Sequence, residues 1–242
     1  MQALLVAKSV FIKQSIEWAE IISGYETPNR YIVYYKDLSS NNYTMLFNCK
    51  EMSSYCERNC CSGDSRPFTM NIKHYNNNNL DKDFNSNVFC VLKKPYKCTL
   101  FCLARPEIYG YFESISGVSF GKIVNPYKCC DPVFHVYDNN NNIIYSITTE
   151  CCKCGFICRG GCGMFESITF LIFKGESCNS KDIEGSCGRI VKYAMGIQSI
   201  LSDADNFEVF FPNDASPEDK MCLISSALMI DYMYFEENPN QK

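Results

Sequence analysis

Short apolar runs recur along the chain, separated by clusters of Asn, Gly, Ser and Pro. Residues 31–35, 43–47, 68–72, 88–92, 107–112, 118–124, 133–137, 143–148, 167–173, 188–192 and 207–211 are rich in Tyr, Phe, Ile and Val. Such side chains suit a pleated, half-buried surface. Eleven short strands with turn signals between them predict a barrel or a sandwich. Two segments depart from this period. Residues 9–22 carry Phe11, Ile12, Ile16, Ile21 and Ile22 at helix-like spacing, and Gly24 and Pro28 end the run, which predicts an N-terminal helix. Residues 220–237, KMCLISSALMIDYMYFEE, are apolar on every side of a helical wheel, with Asp231 set among them. A helix of that kind is surrounded by protein or by lipid.

The pattern also echoes itself. Residues 68–72 lead through the Asn run 76–79 to residues 88–92 and then to Pro95-Tyr96-Lys97-Cys98. Residues 134–137 lead through Asn139–Asn142 to residues 143–147 and then to Cys151-Cys152. A second Pro-Tyr-Lys-Cys stands at 126–129. This reads as a duplicated hairpin with a Cys-rich corner, suited to one closed sheet of two similar halves. The Asn runs suit hairpin loops, because Asn tolerates positive φ. Residues 215–219, ASPED, connect into the last helix, and no interdomain linker is apparent. The expected organisation is a lead of residues 1–10, one domain over 11–237 and a tail of 238–242.

Composition narrows the classes. With 46% hydrophobic and 21% charged residues, 242 residues can bury a substantial core. A net charge of −4 argues against broad nucleic-acid binding. The 17 cysteines are an odd number, and MQALLVAKSV does not read as a secretory leader, so the expected compartment is the cytosol with thiols reduced. Packing, metal binding and acylation remain as their uses.

Four long, compositionally unusual words carry a resemblance: GYETPNRY at 24–31, RNCCSGDSRPFTMNI at 58–72, DADNFEVFFPND at 203–214, and the last helix ending IDYMYFE. With them the chain resembles the phospholipid scramblase family over residues 11–236. The resemblance implies a mainly β, closed twelve-stranded tubby-like barrel around a central hydrophobic C-terminal helix. It also implies calcium-stimulated, ATP-independent, bidirectional movement of phospholipids between leaflets. The expected location is the cytosolic face of a membrane, the plasma membrane first, with phospholipid and protein partners and an oligomer at the membrane among the candidate assemblies. The chain departs from the family in two places. No long proline-rich N-terminal region precedes the domain, so docking through such motifs is not expected. The dense cysteine run that some members acylate shrinks to Cys98 and Cys102. Residues 188–197, which correspond to an import signal in some relatives, carry fewer basic groups, and nuclear import is not expected.

The candidate calcium set is Asp203, Asp205, Phe207, Val209, Phe211 and Asp214. The run has the length of an EF-hand loop, and Asp203, Asp205 and Asp214 take its first, third and last positions. Phe207 and Phe211 stand where ligands belong, and Glu208 replaces the turn glycine. The favoured reading is a strand with Phe207, Val209 and Phe211 alternating inward and acids at its mouth, holding calcium weakly. For the last helix, Met221, Leu223, Ile224, Leu228, Ile230, Asp231 and Phe235 define the buried or lipid-facing segment. Met221 to Phe235 spans roughly 22 Å, short of a hydrocarbon core of about 30 Å. Asp231 would add about 2.5–3.5 kcal/mol at a bilayer centre. A helix filling the barrel is favoured, and a single transmembrane span is the alternative.

Cys151, Cys152, Cys154, Cys158 and Cys162 form the densest thiol cluster; zinc is the minor reading beside a Cys-rich turn. Cys56, Cys60 and Cys61 are equally open. Lys93, Lys94 and Lys97 beside Cys98 form a small basic patch with an acylatable thiol, and two weak anchors can hold where one cannot. His74 and His135 stand alone, and no nucleophile–base pair or phosphate loop is present, so no enzyme is expected. Two classes stay open: a lipid translocator, and a soluble tubby-like module that binds lipid or protein without moving lipid itself.

Overall fold

Twelve antiparallel strands close on themselves in the computed structural model, which describes residues 2–15, 28–36, 43–60, 65–75, 88–98, 104–113, 117–128, 131–150, 167–193 and 206–235. The strands are β1 (Ser9–Gln14), β2 (Arg30–Lys36), β3 (Tyr43–Met52), β4 (Phe68–His74), β5 (Val88–Lys94), β6 (Glu107–Phe112), β7 (Val118–Val124), β8 (Val133–Tyr137), β9 (Ile143–Thr148), β10 (Ile168–Lys174), β11 (Gly188–Tyr193) and β12 (Asn206–Phe210). Each pairs with its neighbours in sequence, and β12 returns to β1 through Ser9↔Phe210 and Lys13↔Asn206. Closure leaves no edge strand open to another chain.

All eleven predicted strands are present, and the twelfth is a correction. Residues 9–14, expected as helix, form β1 between β2 and β12; residues 16–22 lie outside the described residues. Val10, Phe11 and Ile12 are buried in succession, so both faces of the strand are covered. A short apolar run buried on both faces has no period that separates strand from helix. Residues 1–10, set apart above as a lead, supply helix α1 (Gln2–Val6) and the start of β1, and Leu4 is fully buried. The echoed hairpins are β4–β5 and β8–β9. They lie four strands apart in a ring of twelve, so the echo does not divide the barrel into halves. Asn141 takes φ 65° in the β8–β9 turn, as expected of Asn; residues 76–79 lie outside the described residues.

Side-chain alternation builds the wall. In β4, Phe68, Met70 and Ile72 point inward while Thr69, Asn71 and Lys73 are half-buried. Their target is helix α3 (Pro217–Tyr234), every residue of which from 220 to 233 is buried. Ser216 caps it: its hydroxyl accepts from the Asp219 amide, the Asp219 carboxylate accepts from the Ser216 amide, and Pro217 opens the first turn. Inside the apolar lumen, the Ser225 and Ser226 hydroxyls donate to the carbonyls of Met221 and Cys222 at 2.8 and 2.9 Å. The helix approaches β7 so closely that a Cβ on Gly121 would lie 2.6 Å from Cys222 Sγ and 2.5 Å from the Tyr137 carbonyl oxygen.

The wall is covered outside as well along β8 and β9. Residues 175–180 fold back over them as a strap. The Ser146 hydroxyl donates to the carbonyls of Gly175 (2.7 Å) and Glu176 (3.1 Å), and Ser180 donates to Asp131. Beneath the strap, His135 Nδ1 lies 2.8 Å from Ser146 Oγ and only 7% of the residue is exposed. Burial, aided by Lys128 and opposed by Glu176, holds this imidazole below its ordinary value. The folded protein therefore resists a proton that the unfolded chain accepts. The resulting penalty is absent above about pH 6.5 and grows as pH falls below it. Melting temperatures followed downward from neutral pH should fall, and His135→Asn should reduce that fall. An unchanged pH dependence in the variant would refute the assignment.

Candidate functional site

The antiparallel order gives the barrel two unlike mouths. At the near mouth α3 enters, α1 packs, and strands β2, β4, β6, β8, β10 and β12 end. At the far mouth α3 ends, next to helix α2 (Tyr55–Cys60) and the segments that follow β3, β5 and β7.

Lys220 ties the near mouth shut. Its ammonium donates to the carbonyls of Leu4, Leu5 and Ala7, each at 2.9 Å, and lies 5.4 Å from the centre of the Phe211 ring. It thus neutralises the C-terminal end of α1, where carbonyls lack helical partners. Burial pulls its pKa below the ordinary lysine value.

A buried polar cluster ties the far mouth. Glu51, 1% exposed, accepts from Arg66 Nη2 (2.7 Å), the Tyr232 hydroxyl (2.8 Å), the Asn29 amide (2.9 Å) and the Ser53 hydroxyl (2.5 Å). One turn of chemistry away, the Tyr31 hydroxyl donates to Asp231 Oδ2 at 2.6 Å. Lys94 donates to the Arg66 carbonyl at 2.5 Å. Phe68 stacks on Tyr232 with ring centres 4.1 Å apart, and the Arg66 guanidinium lies 5.7 Å from the same ring. Residues from β2, β3 and the lead into β4 thereby grip two consecutive residues of α3. The Tyr31 phenol gives the Asp231 carboxylate a buried donor inside an otherwise apolar helix. Glu51, Arg66, Tyr31 and Tyr232 were not singled out from the sequence. Arg66 does fall within RNCCSGDSRPFTMNI, a word too improbable to be an ordinary loop.

The structure distributes the sequence-predicted residues unevenly. Met221, Leu223, Ile224, Leu228, Ile230 and Asp231 are buried within the barrel, and Phe235 follows at the far end of α3. Phe207, Val209 and Phe211 are packed into wall and near mouth, with 1%, 0% and 7% exposure. Asp203 and Asp205 lie outside the described residues, whereas Asp214 pairs with Lys174 at the near mouth. Strand β12 alone puts about 13 Å between its ends. Calcium oxygens sit within about 2.6 Å of the ion. Asp214 therefore lies past the near end of β12, well away from Asn206 at its far end. Among the described residues no three His, Cys, Asp or Glu side chains gather as a metal site. Cys151, Cys152, Cys154, Cys158, Cys162, Cys61 and Cys102 lie outside those residues. Cys49, Cys90 and Cys222 are core groups: burial pushes Cys49 up to about 12 and the other two upward as well. Cys56 and Cys98 are exposed.

A family model described as Scramblase matches residues 1–237. The chain belongs to the scramblase family. It is 28% identical to human phospholipid scramblase 1 over 96% of its own length, and 27% identical to bovine phospholipid scramblase 2 over 98%. Human phospholipid scramblase 4 is 24% identical over the whole chain. The chain spans 64% of the length of the first of these relatives, 71% of the second and 65% of the third. No solved structure matches. In this scramblase-family chain the matched stretch takes in the whole barrel and both ties on α3. Among its described residues no helix is long and apolar enough to cross a membrane.

Proposed function

We propose that the protein moves phospholipids between the two leaflets of a bilayer, in both directions and without ATP. The observation that carries this reading is the family match over residues 1–237, which includes the central helix and its ties. The names of the relatives describe them as phospholipid scramblases. Residues 220–233 fill the lumen, so headgroups have no path along the barrel axis. The proposal therefore has the intact barrel acting from the cytosolic side of a membrane, the plasma membrane first, and perturbing lipid packing from outside its own wall. No bond of the lipid is made or broken, so no catalytic residue is assigned.

Calcium stimulation belongs to the proposal through Asp203 and Asp205, without Asp214. Calorimetry of the wild type against Asp203→Ala/Asp205→Ala should show weak calcium binding reduced in the variant; equal heats would remove the pair. Acylation at Cys98 and Cys102 belongs to it as a second anchor beside the lysines.

The filled barrel favours one other reading, a soluble lipid- or protein-binding module without translocation. Reconstitution into liposomes carrying a leaflet-specific lipid probe, with and without calcium, separates the two. Probe exchange above the protein-free rate is expected. Verified membrane association without exchange would leave the binding module.

A further inference from the structure

The two Pro-Tyr-Lys-Cys corners meet at the far mouth. Pro95 to Cys98 leaves β5, and Pro126 to Lys128, followed in sequence by Cys129, leaves β7. Only β6 separates these strands, so the corners stand about 10 Å apart at ordinary strand spacing. Both are stapled to the start of β6 or the residues just before it. Lys97 pairs with Glu107 at 2.7 Å, and the Asn125 amide donates to the Pro106 carbonyl at 3.0 Å. Arg105 Nε donates to the Asn125 carbonyl at 3.2 Å, and Arg105 Nη2 reaches Asn125 Oδ1. Asn125 is itself 2% exposed and donates to the Val133 carbonyl at 2.8 Å. The corners are thus fixed against each other.

Their tips point outward. Tyr96 is 58% exposed and Tyr127 60%. Beside the second corner, between it and the leads into β6 and β8, lies a cleft of about 120 Å³ lined by Arg105, Asn125, Pro126, Lys128, Asp131 and Tyr234. Asp131 accepts from the Ser180 hydroxyl at 2.5 Å, so the strap engages the acid of the cleft. Arg105 uses two of its donors on Asn125, and a guanidinium has five. Around both corners and the leads into β6 and β8, Lys93, Lys97, Arg105 and Lys128 stand against Glu107 and Asp131, while Lys94 is buried and turned to the Arg66 carbonyl. This basic local balance stands out in a chain of net charge −4.

We propose that this face is a docking site for anionic phospholipid headgroups. The phosphate would enter the cleft between Arg105 and Lys128, and Tyr96 and Tyr127 would sit at headgroup depth. Charge complementarity selects the occupant: Arg matches phosphate with paired donors, exposed Lys adds attraction to an anionic surface, and Tyr rings favour the boundary between headgroup and chain. The inference rests on the proposed membrane function and gives it an orientation, with the far mouth facing the bilayer.

Vesicle co-sedimentation of the full 242-residue chain tests it. The vesicles are phosphatidylcholine with and without phosphatidylserine. Wild type should prefer the anionic vesicles. Arg105→Gln/Lys128→Gln should lose that preference, with partition falling roughly fivefold per cation, and Lys128→Arg should retain it. Tyr96→Ser/Tyr127→Ser should weaken binding to both vesicle types. Circular dichroism melts confirm that the variants fold. Equal partition of wild type and both double variants would overturn the site. Displacement of the protein by inorganic phosphate at matched ionic strength would overturn the lipid assignment in favour of a free anion. Loss of docking in the variants with no probe exchange by wild type would sink the translocation reading and leave the docking face standing.

Discussion

Glu51→Ala should lower the melting temperature by roughly 6–20 °C. The carboxylate lies in the far-mouth cluster with its side chain fully buried, and its Arg66 partner has 3% side-chain exposure. Removing one member of a buried ion pair leaves the other charge without compensation, which costs about 3–5 kcal/mol. For a domain of this size each kcal/mol shifts the midpoint by about 2–4 °C. The change also removes the carboxylate to which the Tyr232 hydroxyl and the Asn29 amide donate. Glu51→Met combined with Arg66→Met should recover much of the loss, because a well-packed apolar pair can replace a buried ion pair at little or no net cost. A midpoint within a degree or two of wild type in Glu51→Ala would mean that the cluster does not secure α3.

The barrel was legible because strand signals are local. The alternation of Phe68, Met70 and Ile72 with Thr69, Asn71 and Lys73 is visible to any reader of residues 68–73. The helix that fills it was legible for the opposite reason: residues 220–233 have no polar face to turn to water. β1 escaped because Val10, Phe11 and Ile12 are buried in a row, and only the pairing of Ser9–Gln14 with β2 and β12 settles their period. The far-mouth cluster escaped for a deeper reason. Tyr31 and Asp231 are 200 residues apart, and Glu51 and Tyr232 are 181 apart. Each looks ordinary in its own neighbourhood, and closure of the sheet is what brings them together. The duplicated Pro-Tyr-Lys-Cys was visible as a pattern, but its meaning depends on β5 and β7 running in the same direction on either side of β6. In the acidic run 203–214 the inward alternation of Phe207, Val209 and Phe211 was legible from the sequence. Extended backbone from Asn206 to Phe210 leads on to Asp214 at the near mouth.

Asp231→Leu separates two ways in which such a barrel could act on lipid, because they give opposite signs. In the folded barrel the substitution deprives the Tyr31 hydroxyl of its 2.6 Å acceptor at a residue that is 1% exposed. An unpaired buried donor costs about 1–3 kcal/mol, or roughly 2–12 °C in melting temperature. In a bilayer the same substitution is favourable. It removes about 2.5–3.5 kcal/mol for a central Asp and adds a few tenths for Leu. A mechanism in which α3 leaves the barrel to enter the membrane is therefore assisted twice, by a weaker barrel and by a more lipophilic helix. Together these exceed a hundredfold shift in the release equilibrium. A mechanism run by the intact barrel gains nothing and loses folded protein. We expect the second outcome. Residues 217–234 rise only about 27 Å, and Glu218, Asp219 and Lys220 remain in the first turns, so the helix stays too short and too polar to span even without Asp231. Lipid exchange by Asp231→Leu in liposomes, normalised to folded protein, should be equal to wild type or lower. A rise of tenfold or more would establish that the barrel opens in the working cycle and would overturn the intact-barrel reading.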